Sequence, residues 1–220
     1  MTPATITPAT TATPAPMSPI DLNAYINSGW IQTFQGNQVW PFLPDHPKNR
    51  FTIQDIAHHL AFQVRWSGAV RQFYSVAEHC VLGSRIIDER FALKFLMHDC
   101  EEAYMGDQSR PVKMQLWVGA PLYVPQIRLK EAGDALRNAI LDDLDIGRID
   151  GEAAEAVRIV DDEMLVREAV DLMTEVPHRE FAMHPRRGFV PAPVGLCCWS
   201  PEIAERKFLE RWAELACSGR

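Results

Sequence analysis

An apolar run from Phe91 to Met97 ends on an adjacent His98-Asp99 pair, which the packing of an amphipathic helix does not explain. Whatever this chain folds into has to bring partners to that pair, because burying it alone is costly. A second histidine, His79, lies upstream in Tyr74-Ser75-Val76-Ala77-Glu78-His79. Acids follow at Glu101-Glu102 and Asp107, and Arg110-Pro111-Val112-Lys113 closes the stretch. Residues 74–113 therefore read as a metal site assembled from helices.

Helical periodicity and capping residues supply the frame. Thr52 with Asp55 predicts a helix over 52–66, whose apolar stripe is Ile53, Ala57, Leu60 and Val64. Its His58 and His59 read as ordinary helix histidines. Arg65 falls at its end, before Ser67-Gly68, where it can reach a neighbouring pocket. Ser75 and Glu78 form a second capping box for a helix over 75–88 that carries His79 early and buries Val76, Cys80 and Gly83. A third helix covers 90–105, holds His98 and Asp99 in its C-terminal half, and stops at Gly106. After a 107–122 connection, helices over 125–144 and 152–174 are rich in Ala, Leu, Arg and Glu. A proline-rich connection, 177–194, precedes a last helix from Ser200-Pro201 to about Cys217. With no βαβ alternation and no internal repeat, the expected class is all-α.

Residues 1–19, almost wholly Thr, Pro, Ala and Met, read as a disordered tail without the basic and apolar regions of a secretory signal. Residues 20–50 read as an irregular lead-in with short strands or turns, so 20–220 is expected to be a single domain with its core at 52–175. A net charge of −7 argues against a general nucleic-acid or anionic-membrane binder. No apolar run approaches a membrane span. The cysteines, Cys80, Cys100, Cys197, Cys198 and Cys217, are odd in number and make no C-x-x-C pair. That pattern suits free thiols in a reducing cytoplasm.

Imidazoles and carboxylates suit borderline divalent metals such as Zn, Co or Mn, so His79, His98 and Asp99 make a partial ligand shell. Neighbours on a helix point about 100° apart, and a fourth ligand has to come from elsewhere. Asp161 is the best candidate, on a helical stripe with Val157, Met164, Leu165 and Glu168. From periodicity alone it is equally an exposed acid beside Asp162 and Glu163.

The order His79, His98-Asp99, Asp161 resembles the HD-domain metal-dependent phosphohydrolases. Arg65-Trp66, Val76-Ala77-Glu78-His79, His98-Asp99-x-x-Glu102, Gly106-Asp107 and Pro111-Val112-Lys113 look like small HD enzymes acting on deoxynucleotides. The resemblance covers about residues 52–172 and is strongest from 74 to 113. It implies an HD-type helical bundle and one principal divalent metal on His79, His98, Asp99 and Asp161. No histidine lies between His98 and His178 to make a binuclear site, which disfavours cyclic-nucleotide hydrolysis.

The resemblance also implies roles. Glu102 orients the attacking water or acts as general acid-base, and Asp107 protonates the leaving oxygen or binds sugar. Arg65 and Lys113 neutralise phosphate charge, joined by Arg71 or Arg110, which read equally as solvated surface residues. Trp66 and Pro111 shape the base and sugar pocket. Two subgroups fit: short phage-type dATP triphosphohydrolases, and bacterial 5′-deoxynucleotidases acting on deoxynucleoside monophosphates. The stretches Ile53–His58 and Phe73–His79 lean to the first. A nucleotide-binding HD module without turnover is the third reading, and intact candidates at every position argue against it. The family analogy implies a homo-oligomer. Apolar Ile203, Phe208, Leu209, Trp212 and Leu215 in the last helix suit either core or interface.

Overall fold

The structure, a computed structural model, describes residues 29–118, 127–174 and 192–218. The tail over 1–19, the first part of the lead-in, the expected helix start at Pro125 and most of the 177–194 connection lie outside the described residues.

The fold is all-α. Helix α1 spans Ile53–Phe62, α2 Val76–Ser84, α3 Ala92–Leu96, α4 Glu102–Met105 and α5 Arg110–Gln115. Three longer helices follow: α6 at Leu129–Asp143, α7 at Gly151–Leu172 and α8 at Pro201–Ser218. Two short antiparallel hairpins accompany them. β1 (Ile31–Gln32) pairs with β2 (Gln38–Val39), and β3 (Trp117–Val118) pairs with β4 (Ile127–Arg128).

The caps behave as their side chains dictate. Thr52 Oγ1 accepts from the Asp55 amide at 3.1 Å, and Ser75 Oγ accepts from the Glu78 amide at 3.0 Å. The Asp55 carboxylate also accepts from the Gln35 amide at 2.8 Å and Asn37 Nδ2 at 3.0 Å, tying the first hairpin to the start of α1. Glu78 does not return to its own helix start as a capping box requires. It is buried and accepts from the amides of Cys197, Cys198 and Trp199 at 2.8, 3.0 and 2.6 Å. Those bonds pin the chain that leads into α8.

The core lies in two adjoining clusters. One joins Ile56 and Leu60 of α1, Val76 and Cys80 of α2, Leu96 and Met97, Leu136 and Ile140 of α6, and Phe208 of α8. The other joins Tyr74, Leu82, Phe95, Val157, Val160, Met164 and Leu172 along α7. Helix α8 packs on α1 and α2 and turns Phe208 fully inward, with Leu209, Trp212 and Leu215 against the same core. Its apolar face is therefore mostly core, and Ile203 alone of that set stays exposed.

Four expected helices change, the one over 75–88 by ending at Ser84, where bonds from Arg85 to Leu82 and Ile86 to Gly83 tighten its last turn. The first stops at Phe62 rather than 66, because Gln63 turns extended and Val64 bridges to Ser75, so Arg65 sits on an extended strand-like segment. The single helix over 90–105 is broken: α3 ends at Leu96, and bonds from His98 to Phe95, Cys100 to Met97 and Glu102 to Asp99 tighten 97–101 into three-residue turns. The helix expected from Pro125 starts at Leu129, because Ile127–Arg128 is strand. Helix α5 fell inside an expected connection. It buries no residue, so it carries no apolar stripe to read.

Gly83 of α2 lies directly against Phe95 of α3: a Cβ there would collide with Phe95 Cε1 and Cζ. Phe95 also lies against His79 and His98, with ring centroids 5.7 and 4.4 Å away. Gly83→Ala is therefore expected to destabilise by about 1–3 kcal/mol through overpacking. Urea denaturation of the variant beside the wild type checks this, through a lowered midpoint at unchanged slope.

Candidate metal centre

The site sits where the two core clusters meet, and the breaks between helices build it. The turn at 97–101 swings His98 and Asp99 toward α2, which carries His79, and α7, which carries Asp161. His79 Nε2 lies 3.4 Å from His98 Nε2, 3.4 Å from Asp161 Oδ1 and 4.0 Å from Asp99 Oδ2. His98 Nε2 lies 3.3 Å from Asp99 Oδ2 and 3.9 Å from Asp161 Oδ1. Ligands about 2.0–2.2 Å from one small divalent ion are separated from each other by roughly 3–3.5 Å. His79, His98 and Asp99 are thus gathered near ligand spacing, and Asp161 approaches both imidazoles. His79, His98 and Asp99 alone form a group that could hold a metal ion.

Both imidazoles are locked in the tautomer such a site needs. His79 Nδ1 is 2.6 Å from Glu168 Oε1, and His98 Nδ1 is 2.7 Å from the Phe95 carbonyl. Each Nδ1 has only an acceptor in reach, so it carries a proton, and Nε2 is the nitrogen turned to the centre, where a metal ion would displace its proton.

Charge points the same way. Asp99, Asp161, Glu102 and Glu168 are met by Arg65, Lys113 and Arg110, so acids outnumber the paired cations around the two imidazoles. Burial pushes the His98 imidazole down, yet Asp99 and Asp161 outweigh it and hold its pKa up at about 9. Burial likewise raises Asp161, and the two imidazoles outweigh it and hold that carboxyl well below its ordinary range. A cluster of acids that holds protons on its imidazoles could take a positive ion in their place. The donor set fits Zn, Co or Mn, without choosing among them.

Around the centre, Glu102 is buried on α4, with Oε1 on the Lys113 ammonium and Oε2 without a hydrogen-bond partner among the described residues. Burial and then the Asp99 charge push its carboxyl well up, against the pull of Lys113. Gln63 receives the Asp107 amide at 3.0 Å and donates to the Glu102 carbonyl at 2.8 Å, fixing the turn that Gly106 allows with φ 79°. The Asp107 charge is felt at both Arg65 and Glu102.

Arg65 is buried and reaches inward, with Nε 3.0 Å from Glu168 Oε2 and Nη1 3.5 Å from Asp99 Oδ2. Trp66 is half-buried and donates its indole N–H to the same Glu168 oxygen at 2.9 Å. It sits at φ 59° and Ser67 at φ 51°, strained values for L residues that cost about 1–3 kcal/mol each. Arg110 reaches Asp161 at 3.7 Å and Asp162 at 3.6 Å, and Pro111 lies exposed beside it on α5. Arg71 is not brought to the centre. Its guanidinium donates to the Asp171 carbonyl at 2.8 Å, ten residues further along α7, which is about 15 Å of helix. His58 and His59 are satisfied by Glu205 and by the Ala103 carbonyl at 2.9 and 2.7 Å, as ordinary helix histidines are.

The residue that sequence reasoning passed over is Glu168. It is fully buried and bonds to His79, Arg65 and Trp66 together. Its signal was its place two turns after Asp161, on the same face of α7.

Among the described residues no helix is long and apolar enough to cross a membrane. No family model matches the chain. It is similar to the uncharacterized protein YfdR of Escherichia coli (strain K12), 39% identical over 87 residues, 40% of this chain and 48% of that protein. It is also similar to the uncharacterized protein RCAP_rcc00048 of Rhodobacter capsulatus, 42% identical over 99 residues, 41% of this chain and 50% of that protein. The matched stretches thus span about half the length of each curated relative, and neither name carries a function.

Proposed function

We propose that this chain is a metal-dependent phosphohydrolase acting on deoxynucleotides in the manner of HD-domain enzymes. The observation that carries the reading is that Asp99 and Asp161 each lie 3.3–4.0 Å from the Nε2 atoms of His79 and His98, beside the buried Glu102. The substrate class rests on the resemblance of the motifs around that centre.

A divalent ion held by those four side chains supplies Lewis-acid polarisation of a phosphoryl oxygen and an acidified water. The chain's own groups do the rest. Glu102, with a raised pKa and a free oxygen, takes a proton as the water oxygen bonds to phosphorus. The bond from that phosphorus to O5′ breaks, and O5′ takes a proton from Glu102 or Asp107. Lys113 and Arg65 offset the charge that grows on the equatorial oxygens.

The same phosphorus–O5′ bond breaks whether one phosphate or three leave, so the two subgroups differ in how much negative charge the pocket must accept. The motifs lean to a deoxynucleoside triphosphate, releasing triphosphate. One observation favours a monophosphate: Arg71 is turned away, and Arg65, Lys113 and Arg110 are each already on acids. With so little spare positive charge among the described residues, the less charged substrate is the better fit.

Incubation of the purified protein with Co²⁺, Mn²⁺ or Zn²⁺ and a panel of dNMPs and dNTPs tests this. Orthophosphate from dNMPs is the expected product, and inorganic triphosphate from dNTPs would move the assignment to the triphosphohydrolases. Absence of product from every nucleotide, with nucleotide binding retained, would sink the enzyme reading and leave a regulatory module.

A further inference from the structure

We propose that Glu168 is the positioning residue of this centre: one buried carboxylate holds the metal-ligand imidazole of His79 with one oxygen and the Arg65-Trp66 corner with the other. The inference rests on the metal-centre reading above and goes beyond it, to what aligns the two halves of the site.

Glu168 Oε1 sits 2.6 Å from His79 Nδ1, while Oε2 receives Arg65 Nε at 3.0 Å and Trp66 Nε1 at 2.9 Å. Three donors on one fully buried carboxylate leave it no freedom to rotate. Ring orientation and tautomer of His79 are therefore set from α7, two turns beyond Asp161 on that helix. A carboxylate on the outer nitrogen raises the basicity of the inner one, which strengthens the ligand.

The other oxygen works against strain. Trp66 and Ser67 occupy positive φ, and Gly68 follows at φ 81°. Such a turn persists only where its surroundings over-determine it. The indole bond to Glu168 and the amide bond from Arg65 to the Tyr74 carbonyl at 2.9 Å restrain its entry, alongside the backbone bonds from Gly68 to Arg65 and Ala69 to Trp66 that close it. Arg65 Nη1, 3.5 Å from Asp99 Oδ2, then reaches the ligand shell from a fixed direction. Metal ligand and phosphate-facing cation are thus registered on one group.

The experiment is a Co²⁺ titration of the full chain, read by visible absorbance, for wild type, Glu168→Gln and Asp99→Ala, with far-UV circular dichroism to check the fold. Glutamine keeps the shape but has one acceptor oxygen for three donors. Glu168→Gln is expected to weaken Co²⁺ binding by about 10–100-fold with the helical signal intact. Binding within twofold of wild type, while Asp99→Ala loses the ion, would overturn the role of Glu168 and leave the metal centre standing. Co²⁺ binding that survives Asp99→Ala unchanged would overturn the metal centre, and this inference with it. Should Glu168→Gln not fold, NMR of the Zn²⁺-loaded wild type decides. An imidazole proton on His79 Nδ1 protected from solvent exchange is expected, and a freely exchanging one overturns the assignment.

Discussion

Asp99→Ala is expected to abolish metal retention and turnover together. Asp99 Oδ2 is shared by His98 Nε2 at 3.3 Å and Arg65 Nη1 at 3.5 Å, so its removal takes a ligand and leaves a buried guanidinium with one acid instead of two. The loss should exceed the about 100-fold reached when outer-shell partners are removed, because the ligand itself is gone. The metal content of the protein after desalting and the hydrolysis rate at saturating Co²⁺ are the two measurements. Activity near wild type in this variant would remove Asp99 from the ligand set. The change also leaves one fewer negative charge to hold a proton on His98, whose pKa of about 9 depends on Asp99 and Asp161. A fall in the His98 pKa toward its ordinary value, followed by NMR in the metal-free protein, is the companion readout.

Glu102→Gln should separate chemistry from binding. The introduced amide would still accept from Lys113 but could not take a proton from water. The turnover rate is expected to fall by about 10²–10⁴-fold, the usual contribution of a positioned acid-base group. Co²⁺ affinity should stay within a few-fold, because Glu102 is not among the four converging side chains. Loss of the metal in step with the rate would instead make Glu102 a ligand. Unchanged turnover would take it out of the reaction. Burial and then the Asp99 charge push the same carboxyl well above its ordinary range, against the pull of Lys113.

Most of the helices were legible because they bury a stripe. Helix α1 shows Ile56, Ala57 and Leu60 at helical spacing, and Thr52 and Ser75 announce helix starts through the amides they cap. Helix α5 and the β3–β4 hairpin were not legible, because Val112, Met114, Leu116 and Trp117 stay exposed and no face is selected for a core. The break at 97–101 was hidden for the opposite reason. Leu96, Met97 and Cys100 are all buried, and a continuous apolar run reads as one helix whether or not its bonds shorten into turns.

The same division runs through the site. Residue types and their order along the chain were enough to single out His79, His98 and Asp99, since an imidazole-carboxylate set beside an apolar run needs a partner wherever it lies. Asp161 stood even between ligand and surface acid until α7 was laid against α2, 3.4 Å from His79 Nε2. Glu168 could be chosen only by tertiary packing, which gathers His79, Arg65 and Trp66 around it from more than 100 residues away in two cases and 89 in the third. Arg71 failed for a matching reason: a basic side chain in the motif region carries no mark of direction, and the end of α7 took its hydrogen bonds. Composition and spacing determine which groups must find partners, because burial without them is costly. Which partner each one finds is a matter of distance between segments remote in the chain, and only the folded arrangement of helices supplies that.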